Sequence, residues 1–248
     1  MSEIYTSKFY DSQAEGSSRS ARLIVPIIAD AIKPTSVIDI GCGVGHWLSE
    51  FRRAGATTVT GVDGPWALDD LKIDKTDFVQ YDFVGSRAPF KPPTPLQRYD
   101  LLTSFEFVEH IDENRADALI DYFCATADSI VVSAAVPDQG GTNHVNERWP
   151  DYWAAKFAAH GYVACDFIRP IAWRMPDIEP WYIQNSIGYF KDSVPAAIMT
   201  SAEEAWKQVW NQPLPIVHPA MFRIAAQPWV RPSLPLRAAR KIKRTFGL

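Results

Sequence analysis

The chain has 248 residues, of which 47% are hydrophobic and 22% charged, a composition that excludes an intrinsically disordered chain and a collagen-like repeat. Its three cysteines are odd in number and widely separated, which excludes a disulfide scaffold and predicts a reducing, cytoplasmic location. The formal net charge is −4, but residues 1–230 contain 29 acidic against 19 basic residues, so broad binding of nucleic acid is not expected.

Predicted helices and strands alternate over the first 130 residues. Apolar residues recur at helical spacing over 23–32, although Pro26 must either kink this helix or begin it. Apolar or β-branched runs predict strands at 37–40, 57–62, 78–81, 99–103 and 129–135, with helices at 46–54 and after Asp112. Further along the chain, a helix is predicted at 150–160 and strands at 163–168 and 186–190.

This order of elements predicts an α/β fold. Strands joined by helical crossovers pair in parallel and need helices on both faces of the sheet. The loop between residue 178 and the last strand is too short for a crossover helix, which predicts an antiparallel pairing there. We therefore expect a doubly wound, mostly parallel seven-stranded sheet with an antiparallel last strand.

A glycine-rich loop follows the first predicted strand. Residues 37–45 read VIDIGCGVG, with an acid at Asp39 and glycines at Gly41, Gly43 and Gly45. Glycines allow close backbone approach, and the helix that follows presents free N–H groups, so the loop is expected to face a ligand. His46 stands where a dinucleotide-binding loop would have its third glycine, which disfavours an NAD(P)-dependent oxidoreductase.

Acidic residues follow the next two strands. Asp63 lies where a carboxylate can accept both hydroxyls of a ribose, and Asp82 lies where it can meet an adenine amino group, with Phe83 as an apolar neighbour. The segments VIDIGCGVG, TGVD, VQYDF and YDLLTSFEFVEHI together resemble the class I S-adenosylmethionine (SAM)-dependent methyltransferases. The resemblance covers residues 20–190 and implies that SAM is bound by Gly41, Gly43, Gly45, Asp63 and Asp82. The carboxylate of Asp39 would help to hold the amino group of SAM.

A second group of candidate residues follows the fourth strand. Glu106, Glu109 and His110 form an ExxEH sequence whose side chains would converge in a helical turn, and His144 follows the fifth strand. In one interpretation, His144 or His110 is a general base that takes the proton of an acceptor hydroxyl. In another, all four residues bind a divalent cation, Mg²⁺ or Mn²⁺, that holds the acceptor. In a third, Glu109 and His110 only cap a helix and bond to backbone, while Glu106 contacts SAM.

Two further resemblances bear on the acceptor. The ExxEH sequence with a distal histidine is similar to the magnesium site of small-RNA 3′-terminal 2′-O-methyltransferases, and ubiquinone-pathway O-methyltransferases are similar at ExxEH. The stretch PDQGGTNHVNERWPDYW resembles a bacterial group of class I methyltransferases associated with polysaccharide and other glycan biosynthesis. We therefore expect O-methylation of a hydroxylated small molecule or glycan. A metal-dependent RNA 2′-O-methyltransferase and a non-catalytic SAM-binding module are the alternatives.

The sequence predicts four segments along the chain. In residues 1–19, Tyr10 and Gln13 would belong to a lid that closes over SAM, or to a segment that is disordered without it. Residues 20–192 would form the SAM-binding domain, and 193–230 a Trp- and Pro-rich elaboration. Residues 231–248 hold six Lys and Arg and no acid, and would be either a solvated end or a contact to an anionic membrane or a phosphorylated substrate. No apolar run is long enough for a membrane helix.

Overall fold

The computed structural model describes residues 7–83 and 97–210, with side chains for 15–83 and 97–209. Three parts of the sequence prediction lie outside this description. They are the predicted basic tail, residues 211–230 of the Trp- and Pro-rich segment, and the side chains of Tyr10 and Gln13. In the part of the chain that is described, no helix combines the length and hydropathy that crossing a bilayer requires.

Seven helices and seven strands make up the described residues, together with three short 3₁₀ turns. The helices are α1 (Ser7–Ile32), α2 (His46–Arg53), α3 (Glu113–Thr126), α4 (Pro150–Ala159), α5 (Arg169–Ala172), α6 (Pro180–Asn185) and α7 (Ala196–Trp210). The strands are β1 (Ser36–Ile40), β2 (Thr58–Asp63), β3 (Phe78–Gln80), β4 (Leu101–Phe105), β5 (Ser129–Ser133), β6 (Tyr162–Cys165) and β7 (Ile187–Lys191). The 3₁₀ turns are Pro65–Ala67, Lys75–Asp77 and Val108–His110.

The strands form one sheet in the order β3-β2-β1-β4-β5-β7-β6. The pairings among β1 to β5 are parallel, and β7 runs antiparallel to both β5 and β6. The predicted fold class, including the antiparallel last strand, is confirmed. Because the strand order reverses between β1 and β4, the carboxyl ends of these two strands border the crevice in which such sheets bind ligands.

Helices cover both faces of the sheet, and each layer has its own apolar core. One core includes Leu48 and Phe51 of α2, which pack with α1 and with the strands. The other includes Phe123 of α3 and both Trp153 and Phe157 of α4. Strands that are buried on both faces read as nearly continuous apolar runs, which is why they were recognisable in the sequence.

Two elements differ from the sequence prediction. Helix α1 does not begin at Pro26, since it starts at Ser7 and runs through this proline to Ile32. Pro26 is exposed, so water can reach the carbonyl that a proline leaves without its helical partner. The stretch between residue 178 and β7 is not a plain loop, since it contains the short helix α6.

Candidate active site

The glycine loop turns sharply between β1 and α2. Gly41, Gly43 and Gly45 have φ values of 76°, 53° and 89°, in the left-handed region that favours glycine. At Gly41 a side chain is also excluded by space, because a Cβ atom would lie 2.2 Å from the ring of Phe107. The chain therefore needs glycine here both for its conformation and for the close contact with the segment that follows β4.

Asp39 lies inside the sheet, just before the loop. Its side chain is buried, and Oδ1 accepts a hydrogen bond of 2.8 Å from Oγ1 of Thr103 on β4. Burial raises the pKa of Asp39 to about 8, although the bond from Thr103 opposes this rise. The structure thus places Asp39 between β1 and β4, where it joins the two strands that border the crevice.

The carboxylate of Asp63 ends β2 and connects it to the glycine loop. The N–H of Gly43 donates to Oδ2 at 2.7 Å, and the N–H of Gly64 donates to Oδ1 at 2.6 Å. The indole Nε1 of Trp66 also donates to Oδ1, at 3.0 Å. Burial raises the pKa of Asp63, and these three bonds oppose the rise. Sequence reasoning found Asp63 but not Trp66.

Asp82 and Phe83 follow β3, as the sequence predicted. Asp82 is exposed, and its negative charge adds to the raised pKa of Asp63. Phe83 is buried, with its ring centroid 4.9 Å from that of Phe107 and 4.6 Å from that of Tyr81. The phenyl ring therefore forms an apolar wall close to the residues that follow β4.

Glu106 follows β4 in a left-handed conformation with φ of 48°. Its Oε1 accepts bonds from Oγ of Ser133 and, at 3.0 Å, from Nδ2 of Asn185. Its Oε2 accepts a bond of 2.7 Å from Nε2 of Gln139. A carboxylate can only accept, so these contacts also fix which end of each amide faces Glu106. Gln139 and Asn185 were missed because nothing in their local sequence marks them.

Glu109, His110 and His144 form a compact group, called here the acceptor cluster. One possible ligand atom from each of the three residues lies within 4.8 Å of the other two. Nε2 of His144 is 3.9 Å from Oε1 of Glu109, and the two imidazole rings meet edge to face with centroids 4.9 Å apart. The cluster follows β4 and β5, on the side of the crevice where an acceptor was expected.

Glu106 is not a member of this cluster, contrary to the convergence expected of a helical turn over 106–110. The 3₁₀ turn covers only Val108–His110, and the left-handed backbone at Glu106 directs its carboxylate to Gln139 and Asn185. The structure therefore brings together three of the four residues proposed as metal ligands.

Glu109 is the most unusual member of the acceptor cluster. Its side chain is 0% exposed, and neither oxygen has a hydrogen-bond partner among the described residues. Burial, and then the charge of Glu106, raise its pKa well above the usual range for a glutamate, which the amide groups of Glu109 and Ala135 only partly offset. A buried carboxyl group of this kind is costly unless a proton or a cation satisfies it.

The two histidines are each oriented by the loop that follows β5. Nδ1 of His110 lies 3.3 Å from the carbonyl oxygen of Asn143, and Nδ1 of His144 lies 2.9 Å from Oε1 of Glu147. Because both of these partners accept hydrogen bonds, each Nδ1 is the nitrogen that carries the proton. Burial, and then the nearby His144, lower the pKa of His110 to about 4, so its ring is neutral at pH 7.

Glu147 is a site residue that sequence reasoning missed. Its Oε1 accepts bonds from His144 and from the N–H of Gly140, and its Oε2 accepts the N–H of Asp138 at 2.8 Å. Glu147 thus closes the loop that presents His144. The signal available in the sequence was its position three residues after a histidine that had already been singled out.

Comparison with known protein families shows the family to which the chain belongs. The family described as "Methyltransferase domain" matches residues 10–179, which is more than half of the chain. The chain belongs to this family. It is a SAM-dependent methyltransferase, and the glycine loop and the acids after β2 and β3 occupy the edge of the sheet at which SAM was expected. A search of the curated proteins found no match.

Solved structures share the fold at low sequence identity. A candidate O-methyltransferase of Nostoc punctiforme PCC 73102 is 15% identical with a TM-score of 0.53, and the alignment covers 74% of this chain and 59% of that one. DesVI of Streptomyces venezuelae is 12% identical with a TM-score of 0.53, over 77% and 98% of the two chains. The methyltransferase domain of bacterial CtHen1-C is 19% identical with a TM-score of 0.51, over 71% and 100%. These matches show the fold.

Proposed function

We propose that this methyltransferase is an O-methyltransferase, which transfers the methyl group of SAM to a hydroxyl group of a small molecule or a glycan. The observation that carries the proposal is the acceptor cluster of Glu109, His110 and His144, placed after β4 and β5. SAM, when bound, supplies an electrophilic methyl group on a sulfonium. A hydroxyl is a weak nucleophile, so its methylation needs a group that removes its proton or lowers its pKa.

The burial of Glu109 favours the metal-bound form of this chemistry. A fully buried carboxylate whose oxygens make no hydrogen bond within the described part of the chain is stabilised by a nearby positive charge, which a divalent cation would supply. One carboxylate and two imidazoles suit Mn²⁺ better than Mg²⁺, which prefers oxygen ligands and water. Such a cation would lower the pKa of an acceptor hydroxyl.

The orientation of the two imidazoles supports the same proposal. Both rings have Nδ1 held by an acceptor, a carbonyl for His110 and the carboxylate of Glu147 for His144. Nε2 is therefore the nitrogen that each ring has left for a ligand, which is the arrangement of metal-binding histidines whose other ring nitrogen donates to the protein. In a metal-free form of the proposal, Nε2 of His110 or of His144 would act as the general base.

The function is tested by offering hydroxylated acceptors with SAM. Catechols, free sugars and oligosaccharide fragments would be incubated with the full chain, while release of S-adenosylhomocysteine (SAH) is measured and the methylated product is analysed by NMR. We expect a methyl ether with at least one hydroxylated acceptor. Methylation of nitrogen or carbon in preference to oxygen would contradict the proposal.

The cation is tested separately, by calorimetry with MnCl₂ in the absence of any acceptor. We expect the wild-type chain to bind Mn²⁺ and Glu109→Gln to lose at least 10-fold in affinity. The matched control is Glu113→Gln, since Glu113 is an exposed residue at the start of α3 that pairs with Arg148. Equal Mn²⁺ affinity in the wild-type chain and both variants would contradict a cation site at Glu109. The general-base form of the proposal would then stand in its place.

RNA methylation is the second candidate function, because the clustering of Glu109, His110 and His144 fits the resemblance to small-RNA 2′-O-methyltransferases. The excess of acidic residues over 1–230 speaks against it, since phosphate contacts need a basic surface. A gel-shift assay with single-stranded RNA decides between the two. We expect no shift, and a shift together with methylation of the RNA 3′ end would replace the small-molecule proposal.

A further inference from the structure

The carboxylate of Asp63 is almost fully engaged within the protein. A carboxylate accepts about four hydrogen bonds, two on each oxygen. Oδ1 already accepts from Gly64 at 2.6 Å and from Nε1 of Trp66 at 3.0 Å, and Oδ2 accepts from Gly43 at 2.7 Å. Among the described residues, these three donors leave one acceptor position, on Oδ2, for a ligand.

Two ribose hydroxyls need two positions, so one of the three present donors has to leave. The N–H groups of Gly43 and Gly64 belong to the backbone of the glycine loop and of the residue that follows β2, and they are fixed by the fold. The indole of Trp66 is the one side-chain donor of the three, and rotation about two side-chain torsions can withdraw it. The count of hydrogen bonds thus singles out Trp66.

The local backbone is built to bring this indole back onto Asp63. Trp66 lies in the 3₁₀ turn Pro65–Ala67, where Pro65 fixes the entry into the turn. The ring covers Gly64 so closely that a Cβ atom on Gly64 would lie 2.1 Å from it. Glycine is required at position 64 because of this contact and not because of its backbone conformation, since its φ of −68° is one that any residue can adopt.

We propose that Trp66 is a competitive gate of the cofactor site, which occupies the place of one ribose hydroxyl on Asp63 and is displaced when SAM or SAH binds. This inference rests on the assignment of Asp63 to the ribose. The exchange replaces an indole N–H bond with a hydroxyl bond, so that part of the ligand's binding free energy is spent on releasing Trp66. The gate lowers the affinity for a cofactor that carries both ribose hydroxyls and leaves the affinity for a ligand without them unchanged.

The experiment is calorimetric titration of the full chain with SAH and with 2′,3′-dideoxy-SAH. Trp66→Phe removes the competing donor and keeps an aromatic ring, so we expect SAH to bind about 10-fold tighter than to wild type, the equivalent of one hydrogen bond to a charged group. The dideoxy compound, which does not compete for Oδ1, should gain nothing. Trp206→Phe is the matched control, because it also loses an indole bond, to the carbonyl of Asp166, and should leave both affinities unchanged.

A second variant guards against a purely structural effect of the substitution. Gly64→Ala keeps the indole but forces the ring away from its present position, so it too should bind SAH more tightly. Tighter SAH binding by both variants supports the gate. Weaker or unchanged binding by a folded Trp66→Phe would overturn it and make Trp66 a residue that positions Asp63. Absence of SAH binding by the wild-type chain would instead contradict the cofactor assignment itself.

Discussion

The carboxylate of Glu147 holds the imidazole of His144, with Oε1 of the one 2.9 Å from Nδ1 of the other. The same oxygen accepts the N–H of Gly140, so the ring and the loop that carries it share one anchor. This contact sets both the tautomer of His144 and the direction of its Nε2. The acceptor cluster is therefore defined as much by Glu147 as by the residues that face the acceptor.

Glu147→Gln is expected to weaken the cluster without removing any of its members. The amide can still meet His144 but lacks the charge that favours a protonated Nδ1, so Mn²⁺ affinity should fall by about 10- to 100-fold. Calorimetry with MnCl₂ measures this loss, and the affinity for SAM should stay at the wild-type value. An unchanged Mn²⁺ affinity would show that His144 does not depend on Glu147.

His144→Ala is expected to lower kcat strongly, by about 100-fold or more, since it removes a base or a cation ligand on the acceptor side. SAM affinity should remain nearly intact, because Asp63 and the glycine loop are unchanged. The measurement is SAH release with a hydroxylated acceptor that the wild-type chain methylates. His160→Ala is the control, since His160 follows the last residue of α4 and pairs with Asp121 of α3. Wild-type turnover in His144→Ala would remove His144 from the mechanism.

Gly41→Ala is expected to impair both folding and cofactor binding. The new methyl group would meet the ring of Phe107, in addition to the cost of placing alanine at a φ of 76°. We expect a loss in the free energy of unfolding of about 2 to 4 kcal/mol and a large loss of SAM affinity. Urea unfolding and calorimetry measure the two effects.

Gly55→Ala is the matched control for the clash at Gly41. Gly55 also has a positive φ, of 109°, but a Cβ atom there has no described atom within 4 Å. The free energy of unfolding of Gly55→Ala should therefore fall by only about 1 kcal/mol, the cost of placing alanine at a positive φ, and its SAM affinity should stay at the wild-type value. Equal losses in the two variants would contradict the role of the contact with Phe107.

Asp39 is expected to make the fold less stable as the pH rises. Its folded pKa of about 8 lies above the ordinary value of 3.8, so its burial costs little below pH 3.8 and its full penalty applies above pH 8. Asp39→Asn should thus gain in stability relative to wild type as the pH rises from 5 to 8 in urea unfolding. Asp100→Asn is the control, since hydrogen bonds from Thr35 lower the pKa of Asp100 below 3.8 and its effect on stability should not change between pH 5 and 8. A constant difference between wild type and Asp39→Asn would contradict the assignment.

The strands and the glycine loop could be predicted from the sequence because local rules determine them. Buried parallel strands need apolar runs, and the turn from β1 into α2 needs glycine at 41, 43 and 45, so both leave a direct pattern. The antiparallel last strand could also be inferred, although α5 and α6 could not be assigned from such short segments. The fold prediction depended on the order of the helices and strands and not on the exact bounds of any one of them.

The environment of Glu106 could not be predicted in the same way. Its partners Ser133, Gln139 and Asn185 are 27, 33 and 79 residues away, and they meet it because β4, β5 and β7 are neighbours in the sheet. Helical spacing over ExxEH therefore suggested a convergence that the left-handed backbone at Glu106 prevents. The role of Trp66 was hidden for a similar reason, since it depends on a count of hydrogen bonds that no sequence pattern displays.

The ring of Phe107 has a consequence for the order of events during turnover. It rests on Gly41 of the glycine loop, and the chain continues from it into the turn that carries Glu109 and His110. A movement of the loop on cofactor binding would therefore displace the ring of Phe107 and the turn that follows it. From this contact we expect an ordered reaction in which the sulfonium donor docks before its nucleophile and the spent nucleoside departs last.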